Sequence, residues 1–472
     1  MKGTVLQKIV DDKLTYLVER KLHQPLASFQ SEVQPAQRGF YVALQAKRPV
    51  FILECKKASP SKGIIREHFD PVAIARVYGN YAAAISVLTE PDYFQGDFAY
   101  LHAVSQSVTV PVLCKDFIFS TYQIDLARYF SADAILLMLS VLSDSDYQRL
   151  AAYAADLGLH VLTEVSNEAE MLRAKHLGAR IIGINHRDLR DLSVNLNRSQ
   201  ELAPLAPSNA LLIAESGIST NAEIRAIAPY VNGFLVGGSL TEQADIDLAC
   251  RTLIYGEHKV CGMTSQGQAI AARSAGASYA GLIFAKRSKR RVTSAQAEAI
   301  RQVPGLRYVG VVSLDDYHGS LADVAQQLAA LADRYDLAAL QLHDVSDQAL
   351  LPELAQALTM LNRSHYRHQQ AEIWWVQRGD VASTRLHPDY QPLVARQVWD
   401  NGHGGSGAQF DWQQLPQQRQ HIQLAGGINR ANVATALQQQ CRGLDINSGV
   451  ERQPGHKDPV QLQQIFATIR TY

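Results

Sequence analysis

The residues of this chain best suited to chemistry fall into two groups. The first is Glu54, Lys56, Lys115, Glu164, Asn185 and Arg187, each at or just past the end of a short apolar run. It offers two carboxylates, two ammonium groups, an amide and a guanidinium. The second is smaller: Cys261 and Asp400, again at the ends of apolar runs. Polar groups there need a reason, because burying an unpaired charge is expensive. Crowded lysines are expected to lower one another's pKa, and a buried carboxyl is expected to keep its proton longer. Such a set suits general acid–base chemistry near neutrality. A thiolate can also serve as a general base when nearby donors lower its pKa. Any one of these residues reads equally well as a salt-bridged or packed core residue. Their recurrence at successive run ends is what points to function. Cys55 and Cys114 read as core packing.

The elements that would position these groups follow from the apolar pattern. Runs at Val50–Glu54, Ala83–Leu88, Val110–Cys114, Ala134–Met138, Leu159–Thr163, Arg180–Ile184, Leu211–Ala214 and Gly233–Val236 alternate with amphipathic stretches. Continuous apolar runs of this length mark strands buried on both faces of a parallel sheet. Asp70-Pro71 and Ser166-Asn167 punctuate helix starts, and Gly178 a helix stop. A second set of eight runs begins at Lys259–Cys261 and ends at Gly443–Ile446. Eight strands, each followed by a helix, make a (β/α)8 barrel, so the chain reads as an α/β protein of two tandem TIM barrels. Residues 1–255 and 256–472 are the expected domains, with Arg251–His258 as a charged hinge. Asn362–Glu372, rich in His and Gln, reads as an expanded surface loop.

Barrel active sites lie at the C-terminal ends of the strands, and the loops after strands 7 and 8 commonly form a phosphate cup. Those loops look alike in the two halves. Glu215-Ser216-Gly217 and Val236-Gly237-Gly238 in the first correspond to Gly426-Gly427 and Asn447-Ser448-Gly449 in the second. Small residues let backbone N–H groups approach a phosphate. One such loop could be a plain tight turn, whereas the same pair at the same ordinal strands twice over points to phosphorylated small-molecule substrates.

The bulk numbers agree. The 472 residues suffice for two large domains, and 47% hydrophobic residues can bury two cores. Lys plus Arg balances Asp plus Glu at 45 each, so no global field argues for nucleic acid or a membrane surface. Five cysteines without CxxC spacing argue against a disulfide framework or structural zinc. No run resembles a signal peptide or a membrane span. A cytoplasmic monomer without metal or cofactor is expected.

Ile52-Leu53-Glu54-Cys55-Lys56-Lys57-Ala58-Ser59-Pro60-Ser61-Lys62-Gly63 closely resembles the first-strand signature of indole-3-glycerol-phosphate synthases. Leu113–Phe117, Leu162–Val165, Ile182–Leu189 and Ala214–Ser219 match that family in order, over Met1–Tyr255. The resemblance implies extra N-terminal helices over the barrel mouth and a reaction in which a carboxyphenylamino-deoxyribulose phosphate closes its ring, loses CO2 and then loses water. It implies Lys115 as the acid that protonates the carbonyl, and Glu164 as the acid–base partner in dehydration. Lys56 would hold the substrate carboxylate or assist proton transfer, while Glu54 and Asn185 orient the reacting groups. Ser59, Gly217, Gly237 and Gly238 would take the phosphate, and Arg187 would line the anionic end. Phe117, Glu215 and Ser216 complete the implied substrate contacts. His186 and Gly238 stand where a smaller or hydroxyl residue is expected.

From Gly256 to Tyr472 the chain resembles phosphoribosylanthranilate isomerases, through the Cys261 and Asp400 motifs, Gln341-Leu342-His343 and the Gly-Gly-Ile loop. The implied reaction is an Amadori rearrangement. Asp400 protonates the ribose ring oxygen and Cys261 removes the C2 proton. Arg290 resembles the grip on the anthranilate carboxylate, His343 a substrate contact, and Gly427, Ser448 and Gly449 the phosphate seat. Departures are more numerous here: Ser288-Lys289-Arg290 for Ser-Pro-Arg, Val312-Ser313 for Val-Phe, Asp344 for glycine and Trp375 for lysine. Loss of the proline should loosen the loop carrying Arg290 and weaken the isomerase. Two other readings fit the residues: a Schiff-base aldolase using Lys115 or Lys56, and one catalytic barrel joined to a structural one.

Overall fold

Apolar runs and turn residues resolve into sixteen barrel strands. The computed structural model describes residues 4–46, 49–361, 370–379, 381, 384–401 and 411–472. Most of the expected surface loop at 362–372 and the glycine-rich stretch 402–407 lie outside the described residues. The first compact unit runs to Leu253 and the second spans Ile254–Thr471.

In the first unit the strands are β1 (Val50–Cys55), β2 (Ala84–Leu88), β3 (Val112–Lys115), β4 (Ala134–Met138), β5 (His160–Val165), β6 (Ile181–Asn185), β7 (Leu211–Glu215) and β8 (Gly233–Val236). They form one closed barrel. Its seam pairs β1 with β8 in parallel, Val50 facing Gly233. The helices between them start where the sequence says. Asp70 accepts from the amides of Val72 and Ala73 with Pro71 in the first turn, and Asn167 accepts from the amide of Glu170. Gly178 supplies the left-handed residue after the latter helix (φ +70°).

An added helix, α1 (Val5–His23), is capped by Thr4 and buries Leu6, Ile9, Lys13 and Leu17. That spacing is one helical face. Leu6 and Ile9 join Phe40, Leu44 and the barrel residues Ile52, Leu113 and Ile213 in one core cluster. A lysine inside this stripe is anomalous, and its partner lies at the barrel mouth.

The second unit closes a barrel from β9 (Lys259–Val260), β10 (Tyr279–Ile283), β11 (Arg307–Ser313), β12 (Ala339–His343), β13 (Glu372–Arg378), β14 (Arg396–Asp400), β15 (Ile422–Leu424) and β16 (Gly443–Ile446). A small antiparallel hairpin follows, β17 (Glu451–Gln453) with β18 (His456–Lys457). Side chains alternate across each strand. Trp374 fills the barrel interior with Tyr279, Val309 and Val398, whereas Trp375 faces the helix layer and donates its indole N–H to the Thr384 carbonyl at 2.8 Å. The Trp375 departure therefore stands away from the mouth.

The charged segment Arg251–His258 joins the end of the first unit to the start of the second. Helix Ile246–Tyr255 runs through its first half, and Arg251 and His258 are buried. Among the described residues, no helix is long and apolar enough to cross a membrane.

Candidate active sites

The C-terminal ends of β1–β8 enclose a cavity of about 390 Å³. Glu54 is central among the charged groups. Its carboxylate takes Lys56 Nζ at 2.6 Å and Lys115 Nζ at 3.1 Å, and Lys115 also bonds Glu215 at 3.1 Å. Burial pushes the Glu54 carboxyl up, but the ammonium groups of Lys115 and Lys56 outweigh it and hold it at about 2. Burial likewise opposes charge on Lys115, yet the carboxylates of Glu54, Glu215 and Glu164 prevail and raise its pKa. The expectation that crowded lysines lower one another is thus corrected for Lys115, because carboxylates dominate its surroundings. Glu164 behaves oppositely to Glu54. Burial, reinforced by the Glu215 carboxylate, pushes it up to about 7 against the pull of Lys115 and of Asn185, whose amide donates to it at 3.0 Å. Burial raises Glu215 as well, against the pull of Lys115.

Ser59, Phe117, Arg187, Ser216, Gly217, Gly237 and Gly238 all line this cavity. Glu215 does not. It lies beneath, so close over Gly183 that a Cβ there would meet its carboxylate at 1.9 Å, and it holds Lys115 from below. Gly237 is likewise needed against Glu54, whose carboxylate would stand 2.5 Å from a Cβ. His186 turns away from the cavity. Its Nδ1 lies 3.2 Å from the Ser216 carbonyl, which can only accept, so Nε2 accepts from the Ser199 hydroxyl at 2.7 Å. Burial lowers it to about 4. The departure at His186 thus braces the backbone of the loop after β7 from behind.

The mouth of β9–β16 encloses about 830 Å³, lined by Cys261, Arg290, His343, Asp400, Gly427 and Ser448 among others. Cys261 sits over Gly281, where a Cβ would come within 2.6 Å of its sulfur. Burial raises the Cys261 thiol, although the ammonium groups of Lys259 and Lys457 pull it down. Burial also raises Asp400, which accepts from the amide of Asn401 at 2.7 Å. A carboxyl whose pKa burial raises thus shares a cavity with a thiol flanked by cations. His343 is pushed down to about 3 by burial and by the cations Lys259, Arg378 and Arg287, so it is neutral, and its Nε2 lies 3.2 Å from Gln341 Nε2.

Arg290 reaches the cavity with half its fork engaged: Nε and Nη2 bond Glu451 at 2.7–3.0 Å. Gly449 does not line the cavity. It lets the two cup loops meet, since a Cβ there would lie 2.0 Å from the Ile428 carbonyl oxygen.

The two cups share a backbone. After β7, Ser216 and Gly217 are both left-handed (φ +67° and +76°), and after β15 so are Gly426 and Gly427 (φ +85° and +66°). After β8, Gly237 adopts φ −132°, ψ −83°, and after β16 Asn447 adopts φ −133°, ψ −94°. Successive backbone N–H groups in turn conformations can form an anion-binding concavity.

A family model described as indole-3-glycerol phosphate synthase matches residues 6–253, and one described as N-(5'phosphoribosyl)anthranilate (PRA) isomerase matches residues 258–468. The chain belongs to both families in tandem. It is a bifunctional enzyme, a carboxy-lyase joined to an intramolecular oxidoreductase. Whole-chain relatives exist. Tryptophan biosynthesis protein TrpCF of Vibrio cholerae is 49% identical over 470 residues, covering 99% of this chain and 96% of the relative. TrpCF of Salmonella typhi is 49% identical over 470 residues, covering 99% and 100%. That of Buchnera aphidicola subsp. Schizaphis graminum is 42% identical over 470 residues, again covering 99% and 100%.

Several residues of the synthase and isomerase mouths escaped the sequence reading. Glu90, just past β2, accepts from the amides of Asp92, Tyr93 and Phe94 and so shapes the wall that presents Phe94 to the synthase cavity. Lys13 of α1 reaches Asp116 at 2.7 Å, beside Lys115. Asp445 of β16 takes Lys259 at 2.6 Å below Cys261. The signal that located Glu54, a charge in an apolar strand, was present at Asp445 too.

Proposed function

We propose that the second mouth carries out the Amadori rearrangement of N-(5-phosphoribosyl)anthranilate. The first mouth then converts the product, 1-(2-carboxyphenylamino)-1-deoxyribulose 5-phosphate, to indole-3-glycerol phosphate. These are consecutive steps of tryptophan biosynthesis. The observation that carries this reading is the same cup backbone in both mouths, each beside its own acid–base set.

In the isomerase, Asp400, whose pKa burial raises, gives a proton to the ribose ring oxygen, opening the ring to a Schiff base. Cys261 then takes the C2 proton as thiolate, a form that Lys259 and Lys457 favour. The enolamine tautomerises to the ketone. The free guanidinium edge of Arg290 takes the anthranilate carboxylate. Gly427 and Ser448 seat the phosphate, and Gly449 permits the loop contact that closes the cup.

In the synthase, Lys115 is held protonated by Glu54 and Glu215 and donates to the substrate carbonyl as the ring closes. Loss of CO2 restores the aromatic ring. Protonated Glu164 gives its proton to the departing hydroxyl, then takes the adjacent ring proton and ends as it began. Lys56 holds the substrate carboxylate. Ser59 and the amides of Gly217, Gly237 and Gly238 hold the phosphate, with Phe117 and Arg187 flanking the rest. Among the described residues each cavity is lined from its own barrel, in keeping with a monomer of 52.0 kDa. Four buried cysteines and one half-buried, all free, suit a reducing cytoplasm.

Lys115→Ala should lower indole formation by about 10²–10⁴-fold and leave isomerisation unchanged, so that the deoxyribulose phosphate accumulates. Cys261→Ala should do the reverse. Loss of both activities from either change would contradict the reading.

A further inference from the structure

Asp344 follows β12 in the left-handed region (φ +57°), a conformation a side chain adopts at some cost. Its carboxylate gathers three donors from three neighbouring strand ends. Oδ2 accepts from the Ser313 hydroxyl at the end of β11 at 2.5 Å and from Arg287 in the loop after β10, and Oδ1 accepts from Arg378 at the end of β13. The Asp344 side chain is only 9% exposed, while Arg287 is 66% and Arg378 30% exposed, so a buried carboxylate takes charge-assisted bonds from two guanidinium groups that reach in from the surface.

Arg287 precedes one tight turn and Arg290 lies within it. The amide of Arg291 donates to the Ser288 carbonyl at 3.2 Å, which makes Lys289 the second residue of a four-residue turn. Proline is favoured at that position because its φ is already set. This turn is therefore one that a proline would stiffen from within, and instead it is tied from outside. The Lys286 amide donates to Asp316 at 2.7 Å, Arg287 is taken by Asp344, and Arg290 by Glu451.

We propose that Asp344 is a positioning residue of the isomerase, tying the turn that carries Arg290, through Arg287, to the ends of β11 and β13 and so fixing Arg290 for the substrate carboxylate. Asp344 lines the same cavity, with its carboxylate engaged by Arg287, Arg378 and Ser313. It does electrostatically what a proline at 289 would do covalently. This rests on the isomerase reading of the second mouth. A grip on a non-reacting carboxylate acts alike in ground and transition states, so its loss raises KM and leaves kcat alone.

The test is steady-state isomerase kinetics of the full chain with phosphoribosylanthranilate, alongside its synthase kinetics. Asp344→Ala should raise the isomerase KM about tenfold, the scale of one charge-assisted bond, with kcat and both synthase constants unchanged. Asp344→Asn, which keeps an acceptor and tolerates the left-handed backbone, should fall between. Lys289→Pro added to Asp344→Ala should bring KM most of the way back. An unchanged KM in Asp344→Ala, a loss confined to kcat, or no recovery with the proline would overturn the proposal. A wild type without isomerase turnover would overturn the isomerase reading itself, a result distinct from an active wild type indifferent to Asp344.

Discussion

Glu54 and Glu164 are both buried glutamates at one barrel mouth, and their surroundings drive them to opposite ends of the carboxylate range. Two ammonium groups keep Glu54 ionised, while Glu164 faces another carboxylate and sits at about 7. The difference fits the tasks proposed for them: a permanent anion suits orienting lysines, and a group poised near neutrality suits exchanging protons. With Glu164 as the proposed acid of the dehydration, synthase kcat/KM should fall as pH rises through about 7, and Glu164→Gln should abolish that inflection along with most of the rate. A pH–rate profile that keeps the inflection in Glu164→Gln would assign it elsewhere. In the isomerase the thiol is raised by burial, so activity should instead climb with pH as Cys261 ionises, until Asp400 loses its proton. Residue types at run ends were enough to nominate these groups. The direction of each shift was not legible, because it depends on which neighbour the closed barrel delivers. Lys115 was expected to be depressed by lysines and is raised by carboxylates contributed from β1, β5 and β7.

The elements were the most legible part, because parallel strands buried on both faces write themselves as unbroken apolar runs. What stayed hidden was contact between elements distant in sequence. Lys13 lies 103 residues from Asp116, yet their buried pair, with the Thr89 hydroxyl bonding Asp116 at 2.7 Å, fastens α1 to the strand end that carries Lys115. The only signal was a lysine inside the stripe Leu6, Ile9, Leu17. Removing one member of such a pair strands the other charge, at a cost of about 3–5 kcal/mol. Lys13→Met should accordingly destabilise the first unit by that order in denaturant unfolding and lower synthase kcat, with isomerase kinetics untouched. Equal stability in the variant would show the pair to be dispensable. Gly281 makes the same point for β10: its missing Cβ leaves room for the Cys261 sulfur, so Gly281→Ala should cost isomerase activity alone.

For the whole molecule, the structure joins two closed barrels whose cups repeat the same backbone around different chemistry. The common cup shows in the paired glycine loops. The split in chemistry shows in the strand-end residues, lysines and glutamates in one half, a cysteine and an aspartate in the other. The central claim is that each barrel holds a self-sufficient site and that the product of one is the substrate of the other. It is tested most directly by mixing the Lys115→Ala and Cys261→Ala proteins and supplying phosphoribosylanthranilate. Neither alone should yield indole-3-glycerol phosphate. The equimolar mixture should yield it at a rate near half that of the wild type at the same total concentration, after a lag while the intermediate crosses between molecules. A mixture as inactive as its components would contradict two independent sites working in sequence.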